Sequence, residues 1–256
     1  MTTARRRLGK GSERILLIDV SNSFTKMAVA RSGRIGRVRR IPTGSLAKGD
    51  ISSLKADLAA VASVVPRVNT LIASALPCPA LWIDHRVPGG VEINYPNPNS
   101  IGSDRLANAA AAVELGNLPA VIVDFGTAVT FDVIDEKGRY LGGVIAPGLC
   151  TAAAALHERT ALLPLTKITS IRNSIGKNTA EAIRIGLLLG ATGLIRETLA
   201  GITRDAFRGK RPHVLATGGD AELVDRLSRQ NGSPVIDRVD PLLTLRGLLA
   251  VAEKNI

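Results

Sequence analysis

The sequence is poor in the residues that build disulfide frameworks, metal clusters and stacking surfaces. Two cysteines, Cys78 and Cys150, and three scattered histidines give neither a disulfide scaffold nor a spacing typical of zinc ligands. Aromatic residues make up 3% of the chain, so the stacking platforms of single-strand nucleic-acid binders are not expected. No uninterrupted apolar run approaches the roughly 20 residues that span a bilayer, and the run at residues 15–18 is too short for a signal sequence. We therefore expect a cytoplasmic protein that has no membrane partner.

Positive charge, in contrast, is in excess, with a formal net charge of +11. Much of it lies in two groups of residues: Arg5, Arg6, Arg7 and Lys10, and then Arg31, Arg34, Arg37, Arg39 and Arg40. We interpret residues 1–13 as a flexible basic tail and the second group as a charged hairpin edge. A nucleic-acid partner is not expected, whereas a basic surface suits an enzyme that collects anionic substrates.

The most informative stretch is residues 120–134, which read AVIVDFGTAVTFDVI. A β-rich run ends at Asp124, a tight corner containing Gly126 and Thr127 follows, and a second β-rich run returns. The glycine allows close backbone approach to a ligand, and the amides of the corner are suited to binding a phosphate. An ordinary buried hairpin whose aspartate caps its own turn is the alternative interpretation. Residues 15–30 repeat this strand-turn-strand pattern around Asp19. The repeat predicts two similar α/β lobes with a nucleotide between them.

The remaining pattern predicts the order of elements in each lobe. In the first lobe, residues 14–117, we expect a β-meander at 15–41, a helix at 51–64, strands at 69–74 and 80–87, a loop at 94–100 and a helix at 102–115. In the second, residues 118–256, we expect strands at 120–134, 139–146 and 213–216 and helices at 151–160, 178–202, 221–229 and 243–254. Asn178 and Glu181 form a capping-box pattern at the start of the long helix. That helix is apolar nearly all round, so it is expected in a deep core or in a dimer interface.

Six short motifs follow one another along the chain: Asp19–Ser23 with Lys26, Gly102–Arg105, Asp124–Ala128, Gly142–Gly148, Gly176–Thr179 and Thr217–Gly219. In this order and spacing the chain resembles type III pantothenate kinases over nearly everything after the basic tail. The resemblance implies duplicated ribonuclease H-like lobes of the acetate kinase/sugar kinase/heat-shock/actin type. It also implies a homodimer that uses ATP with Mg²⁺ to phosphorylate pantothenate to 4'-phosphopantothenate, the first step of coenzyme A biosynthesis.

The resemblance further implies a role for individual residues. ATP contacts are implied for Asp19, Val20, Ser21, Asn22, Ser23, Phe24, Thr25, Lys26 and Thr127, and pantothenate contacts for Tyr95, Gly102, Ser103, Asp104, Arg105 and Thr179. Asp104 matches the general base, Asp124 holds a monovalent cation (K⁺ or NH₄⁺), and Asp19 lies beside Mg²⁺ through the phosphates. The residues themselves agree, since a hydroxyl acceptor needs a nearby carboxylate to accept its proton. The alternatives are a helix-dipole carboxylate for Asp104 and a solvated edge-strand lysine for Lys26.

Two features keep other interpretations open. The family's first motif normally reads Asp-Val-Gly-Asn-Thr, and Ser21 and Ser23 replace its glycine and threonine here. If the turn requires a positive φ at position 21, the serine is strained and ATP binding is weakened. For Gly218 and Gly219 two roles stay open: they line the adenosine side of the ATP site, or they only turn the chain.

The alternative functions are a non-catalytic regulatory protein of the Bvg accessory factor type and another kinase or phosphatase on the same fold.

Overall fold

The computed structural model describes residues 13–230, 232 and 234–256, which form two compact units. The first unit contains the described residues up to Gly116 together with Leu242–Ile256, and the second unit is Asn117–Pro241. The predicted lobes, residues 14–117 and 118–256, differ from these units at the C terminus, because Leu242–Ile256 packs in the first unit. The predicted basic tail, apart from residue 13, lies outside the described residues.

The first unit is built on a mixed sheet with helices around it. Its elements up to Gly116 are β1 (Arg14–Val20), β2 (Phe24–Arg31), β3 (Arg34–Ile35), β4 (Arg39–Pro42), α1 (Lys48–Ser52), β5 (Leu58–Ser63), α2 (Pro66–Ala75), β6 (Ala80–Trp82), β7 (Glu92–Ile93) and α3 (Ser103–Leu115). The sheet order is β3-β2-β1-β5-β6, and β4 also pairs with β2. Strand β1 is antiparallel to β2 and parallel to β5. Its apolar run is buried because other strands cover both of its edges and side chains pack on both of its faces.

The second unit repeats this arrangement. Its elements are β8 (Ala120–Phe125), β9 (Ala128–Ile134), β10 (Arg139–Pro147), α4 (Leu149–Glu158), α5 (Thr179–Phe207), β11 (His213–Gly218), α6 (Ala221–Gln230) and β12 (Arg238–Val239). Its strands follow the order β12-β11-β8-β9-β10, with β8 antiparallel to β9 and parallel to β11. Each unit therefore has a central strand, an antiparallel hairpin partner on one side and parallel strands on the other. The duplication predicted from Asp19 and Asp124 is confirmed.

The last helix, α7 (Leu243–Glu253), completes the first unit. It packs against α3 so closely that a Cβ atom on Gly247 would overlap with the carbonyl of Ala107. Thr244 adds a buried hydrogen bond, its hydroxyl donating to the Asn108 Oδ1 atom at 2.8 Å. Small residues on both helices allow this approach, which buries α7 over most of its length.

Two predicted elements of the first unit are wrong. Residues 58–63, predicted as the end of a helix, form the strand β5, because this alanine-rich segment is buried between the parallel neighbours β1 and β6. Residues 69–74, predicted as a strand, lie in the helix α2, which starts at Pro66, a residue favoured in the first helical turn. At residues 58–63 tertiary position overrides local propensity. The predicted strand at 80–87 is shorter than expected and ends at Trp82.

Helix α5 is only partly buried, so the deep-core alternative does not hold along its whole length, and the dimer-interface alternative stays a prediction. Leu188, Ile195 and Leu199 pack into the core of the second unit, whereas Gly186 and Gly190 are exposed. A Cβ atom at either glycine would have no neighbour within 4 Å. The helix is long and apolar enough, by length and composition, to cross a membrane. A single such helix is weak evidence of a membrane span, because core helices of soluble proteins pass the same test.

Candidate active site

The first candidate phosphate-binding turn joins β1 to β2 and carries the carboxylate of Asp19. Asp19 is 4% exposed and lies directly opposite Lys26 of β2. The Ser21 hydroxyl donates to the Asp19 Oδ1 atom at 3.3 Å, and the Ser21 N–H donates to the Phe24 carbonyl at 3.1 Å. Lys26 is half-buried and β2 lies between β1 and β4, so the alternative of a solvated edge-strand lysine is wrong.

Ser21 fits this turn without backbone strain. Among the described non-glycine residues a positive φ occurs at Ser32 and Arg208, so the turn does not require the left-handed conformation at position 21. The expected strain is therefore absent. The serine instead adds a hydrogen bond to the carboxylate that glycine lacks.

The second candidate turn joins β8 to β9 and leaves Gly126 and Thr127 exposed at its tip. The Gly126 N–H donates to the Ala128 carbonyl at 3.0 Å. Two groups donate to the Thr127 carbonyl: the Gly148 N–H at 3.0 Å and the Thr151 hydroxyl at 2.6 Å. Hydrogen bonds from other parts of the second unit thus satisfy the Thr127 carbonyl and tie the corner to α4.

Glycines allow the neighbouring chain to approach this corner. A Cβ atom on Gly148 would overlap with the Gly126 carbonyl, and one on Gly218 would overlap with the backbone of Phe125. Gly218 also has a φ of +95°, and the Gly219 N–H donates to the Phe125 carbonyl at 2.9 Å. The Thr217–Gly219 motif therefore both turns the chain and supports the corner.

A row of three oxygen-bearing side chains crosses the second sheet beside this corner. Asp124 of β8 lies directly opposite Thr130 of β9 and Thr217 of β11. Residues paired in this way project from the same face of a sheet. The Thr130 and Thr217 hydroxyls are buried and have no hydrogen-bond partner. Buried hydroxyls without a partner are rare, and they flank a carboxylate here, so the row suits a bound cation.

Asp104 lies in the first turn of α3, two residues after the helix N-cap Gly102. A Cβ atom on Gly102 would lie 2.5 Å from the Asp104 Oδ1 atom, so the glycine makes room for the carboxylate. Burial raises the pKa of the Asp104 carboxyl above its ordinary value, because it disfavours the charged form. The Arg105 N–H, which donates to Oδ1 at 2.8 Å, and the Arg105 charge act in the opposite direction. The neighbouring Ser103 hydroxyl is buried and has no partner.

The remaining predicted residues lie in both units. Tyr95 is 38% exposed in the loop that precedes α3, in the same unit as Asp104. Thr179 is the first residue of α5 in the second unit, and Asn178 caps that helix by accepting the Glu181 N–H at 2.9 Å. The Glu181 carboxylate accepts the Lys177 N–H at 2.7 Å, one residue earlier than a capping box requires. The first unit thus holds residues 19–26, Tyr95 and residues 102–105, and the second holds Asp124, Thr127 and Thr179.

Three threonines around these turns are not predicted from the sequence, namely Thr43, Thr130 and Thr151. A fourth, Thr217, lies in a predicted motif, but its position beside Asp124 is not predicted. These positions depend on tertiary packing and strand register, which local motifs do not reveal. One usable signal exists, because a proline precedes both Thr43 and Gly148, at the end of β4 and of β10 respectively.

Comparison with known proteins agrees with this architecture. A family model described as type III pantothenate kinase matches residues 15–201. A type III pantothenate kinase of Akkermansia muciniphila is 43% identical, over 94% of this chain and 99% of the relative. A solved Campylobacter jejuni protein assigned to the Baf family of transcriptional activators has a TM-score of 0.58 at 18% identity, over 94% of this chain and 98% of that one. A Listeria monocytogenes protein assigned as an N-acetylmannosamine kinase has a TM-score of 0.54 at 11% identity, over 95% and 100%.

The two solved structures are too distant in sequence to show more than the fold. Together with the repeated sheet topology, they show the duplicated α/β fold of the acetate kinase/sugar kinase/heat-shock/actin type, as predicted. Within that class, the family model and the relative are decisive. The chain belongs to the type III pantothenate kinase family.

Proposed function

We propose that the protein transfers the γ-phosphoryl group of ATP to the hydroxyl of pantothenate, with Asp104 as the general base. The observation that carries this assignment is the position of Asp104 in the first turn of α3, where Gly102 leaves room for it and burial raises its pKa. A base with a raised pKa takes up the hydroxyl proton more readily once ionised. Family membership supports the choice of acceptor.

The other residues around the N terminus of α3 would bind pantothenate. Arg105 is suited to pair with its carboxylate in a forked arrangement. The unpartnered hydroxyl of Ser103 would gain a partner from a polar group of the substrate. Tyr95, in the preceding loop, and Thr179, at the start of α5, complete the proposed contacts. Thr179 would act through the homodimer.

The turn at residues 21–23 would bind ATP phosphates beside Asp19. Lys26, directly opposite Asp19, supplies a positive charge that favours phosphate binding. No group of three or more acidic, histidine or cysteine side chains that could hold a metal occurs among the described residues. This fits Mg²⁺, which is commonly held by one or two carboxylates, substrate phosphates and water. Asp19 would be the carboxylate, and the metal would neutralise charge on the transferred phosphoryl group.

A monovalent cation would bind at Asp124. The donors in this row are one carboxylate and two hydroxyls, all of them hard oxygen ligands suited to an alkali-metal ion. The comparison with the first unit is informative. In the first unit Lys26 of β2 and Ala62 of β5 lie beside Asp19, at the positions that Thr130 and Thr217 take beside Asp124. A positive charge therefore replaces the Thr130 hydroxyl, and a methyl group replaces the Thr217 hydroxyl. Only the second unit pairs the aspartate with two hydroxyls.

The homodimer would use the open face of α5. Its exposed glycines border an apolar groove of about 210 Å³, lined also by Leu187, Ala191 and Leu194. Glycines at helical spacing let another helix approach closely. Since Thr179 starts this same helix, an interface here would also explain how Thr179 reaches the partner's substrate.

The deciding experiment is ADP release measured with and without pantothenate. ATP turnover that requires pantothenate and yields its phosphate ester supports the proposal. If purified, folded protein binds ATP but releases no ADP with pantothenate at any K⁺ or NH₄⁺ concentration, the kinase assignment fails. The regulatory alternative would then be preferred.

A further inference from the structure

The two candidate phosphate turns can be aligned residue by residue through the strands beside them. Strand β4 ends at Pro42, opposite Phe24 of β2, and β10 ends at Pro147, opposite Ala128 of β9. In each unit the residue after that proline donates its N–H to the last carbonyl of the turn. The Thr43 N–H reaches the Ser23 carbonyl at 3.1 Å. In the second unit the Gly148 N–H reaches the Thr127 carbonyl at 3.0 Å.

The turns differ in length by one residue, and the residue after the proline differs accordingly. Between Val20 and Phe24 lie three residues, whereas between Phe125 and Ala128 lie two. In the shorter turn the chain comes so close that position 148 has room only for glycine. In the longer turn the equivalent position holds Thr43. The Thr43 hydroxyl donates to the Ser21 carbonyl at 2.7 Å.

The donor in each hydrogen bond around Thr43 can be assigned, because a threonine hydroxyl has a single proton to donate. The Ser21 carbonyl can only accept, so the single hydroxyl proton of Thr43 is committed to it. The Thr25 hydroxyl, 3.1 Å from the Thr43 Oγ1 atom, must then be the donor in that second contact. Thr25 and Thr43 are 0% and 2% exposed, so water does not readily replace either bond.

We propose that Thr43 is a positioning residue that fixes the shape of the longer phosphate turn, with Thr25 orienting its hydroxyl. Thr43 bonds both ends of the turn, through its hydroxyl at Ser21 and its N–H at Ser23. Loss of the hydroxyl would leave the Ser21 carbonyl without this donor and let the turn shift away from the phosphates. The inference rests on the proposed function insofar as the turn binds ATP.

The test is steady-state kinetics of Thr43→Val, which keeps the side-chain shape and removes the hydroxyl. We expect the KM for ATP to rise about tenfold, which corresponds to about 1.4 kcal/mol. The KM for pantothenate and kcat should change by less than about twofold, because the base and acceptor site use other residues. Thr43→Ser should restore the KM for ATP. The control is Thr192→Val, which removes a buried threonine hydroxyl that donates to the Leu189 carbonyl inside α5.

Other outcomes are also decisive. An unchanged KM for ATP in folded Thr43→Val, an equal rise in both KM values, or no rescue by serine would overturn the proposal. If Thr43→Val does not fold, Thr25→Val takes its place. We then expect a smaller rise in the KM for ATP and no rise in the KM for pantothenate. If the wild type does not phosphorylate pantothenate, the proposed function fails separately. Calorimetric ATP binding then tests the turn, with a tenfold rise in Kd expected for Thr43→Val and no change overturning the inference.

Discussion

At the scale of single residues, Asp104 combines the two requirements of a general base, position and a shifted pKa. Replacing it with asparagine keeps the shape and removes proton acceptance. We expect Asp104→Asn to lower kcat by roughly 10²- to 10⁴-fold, the usual span for a lost base. In the wild type, kcat/KM should fall as the pH drops through a pKa above that of an ordinary aspartate. Near-normal turnover in the variant would remove Asp104 from the mechanism.

The same substitution should also change stability, in a direction set by the raised pKa. The folded protein binds the Asp104 proton more tightly than the unfolded chain, so this group costs stability as the pH rises through the folded-state pKa. Asp104→Asn should therefore melt at a higher temperature than the wild type at pH 8. The difference should vanish below the ordinary aspartate pKa of about 3.9. The control Asp205→Asn, an exposed carboxylate on α5, should show no such gain.

Ser21 gives a second prediction at this scale. Because serine adopts the turn without a positive φ and its hydroxyl bonds Asp19, glycine would remove a useful contact. We expect Ser21→Gly to raise the KM for ATP by a few-fold, with kcat little changed. A lower KM in the glycine variant would show instead that the serine side chain obstructs the nucleotide.

Much of the candidate site could be proposed from sequence because its residues stand in contiguous motifs. Asp19, Asp124 and Asp104 each lie at the end of a strand or the start of a helix, where local pattern is informative. Thr43 and Thr217 could not be assigned a role in this way. Their significance depends on which strands are neighbours and in which register, and this is set by tertiary packing.

At the scale of secondary-structure elements, the row across β9, β8 and β11 makes the cation prediction specific. Turnover should be faster in potassium or ammonium than in sodium at matched ionic strength. Thr130→Val and Thr217→Val should each reduce that preference and raise the potassium concentration for half-maximal activity, because each removes one oxygen ligand. Equal rates in all three salts for the wild type would reject the site.

The elements also show where sequence patterns mislead. The segment at residues 58–63 is alanine-rich, and alanine is the strongest helix former, yet it is a buried strand. Small side chains suit a strand covered on both faces, and no local signal distinguishes this from a helix. Helix α3, also alanine-rich, was predicted correctly because Gly102 and Gly116 mark its ends.

At the scale of the whole molecule, the open face of α5 predicts that activity depends on assembly. Gly190→Leu adds a large side chain where a Cβ atom now has no neighbour, so the isolated chain should tolerate it. We expect the variant to form fewer dimers by light scattering and to lose activity in proportion. The control Ala206→Leu, at an exposed position near the other end of the helix, should remain dimeric. A fully active monomer would refute the proposed interface.

The placement of α7 has a consequence for synthesis of the protein. The chain starts the first unit, leaves it after Gly116, builds the whole second unit and returns at Leu242. On the ribosome, the apolar surface of α3 that α7 covers therefore stays uncovered until residues 243–253 have been synthesised. The second unit is contiguous and can complete earlier. A chain that stops short of Leu243 would thus lack part of the core of the unit that was made first.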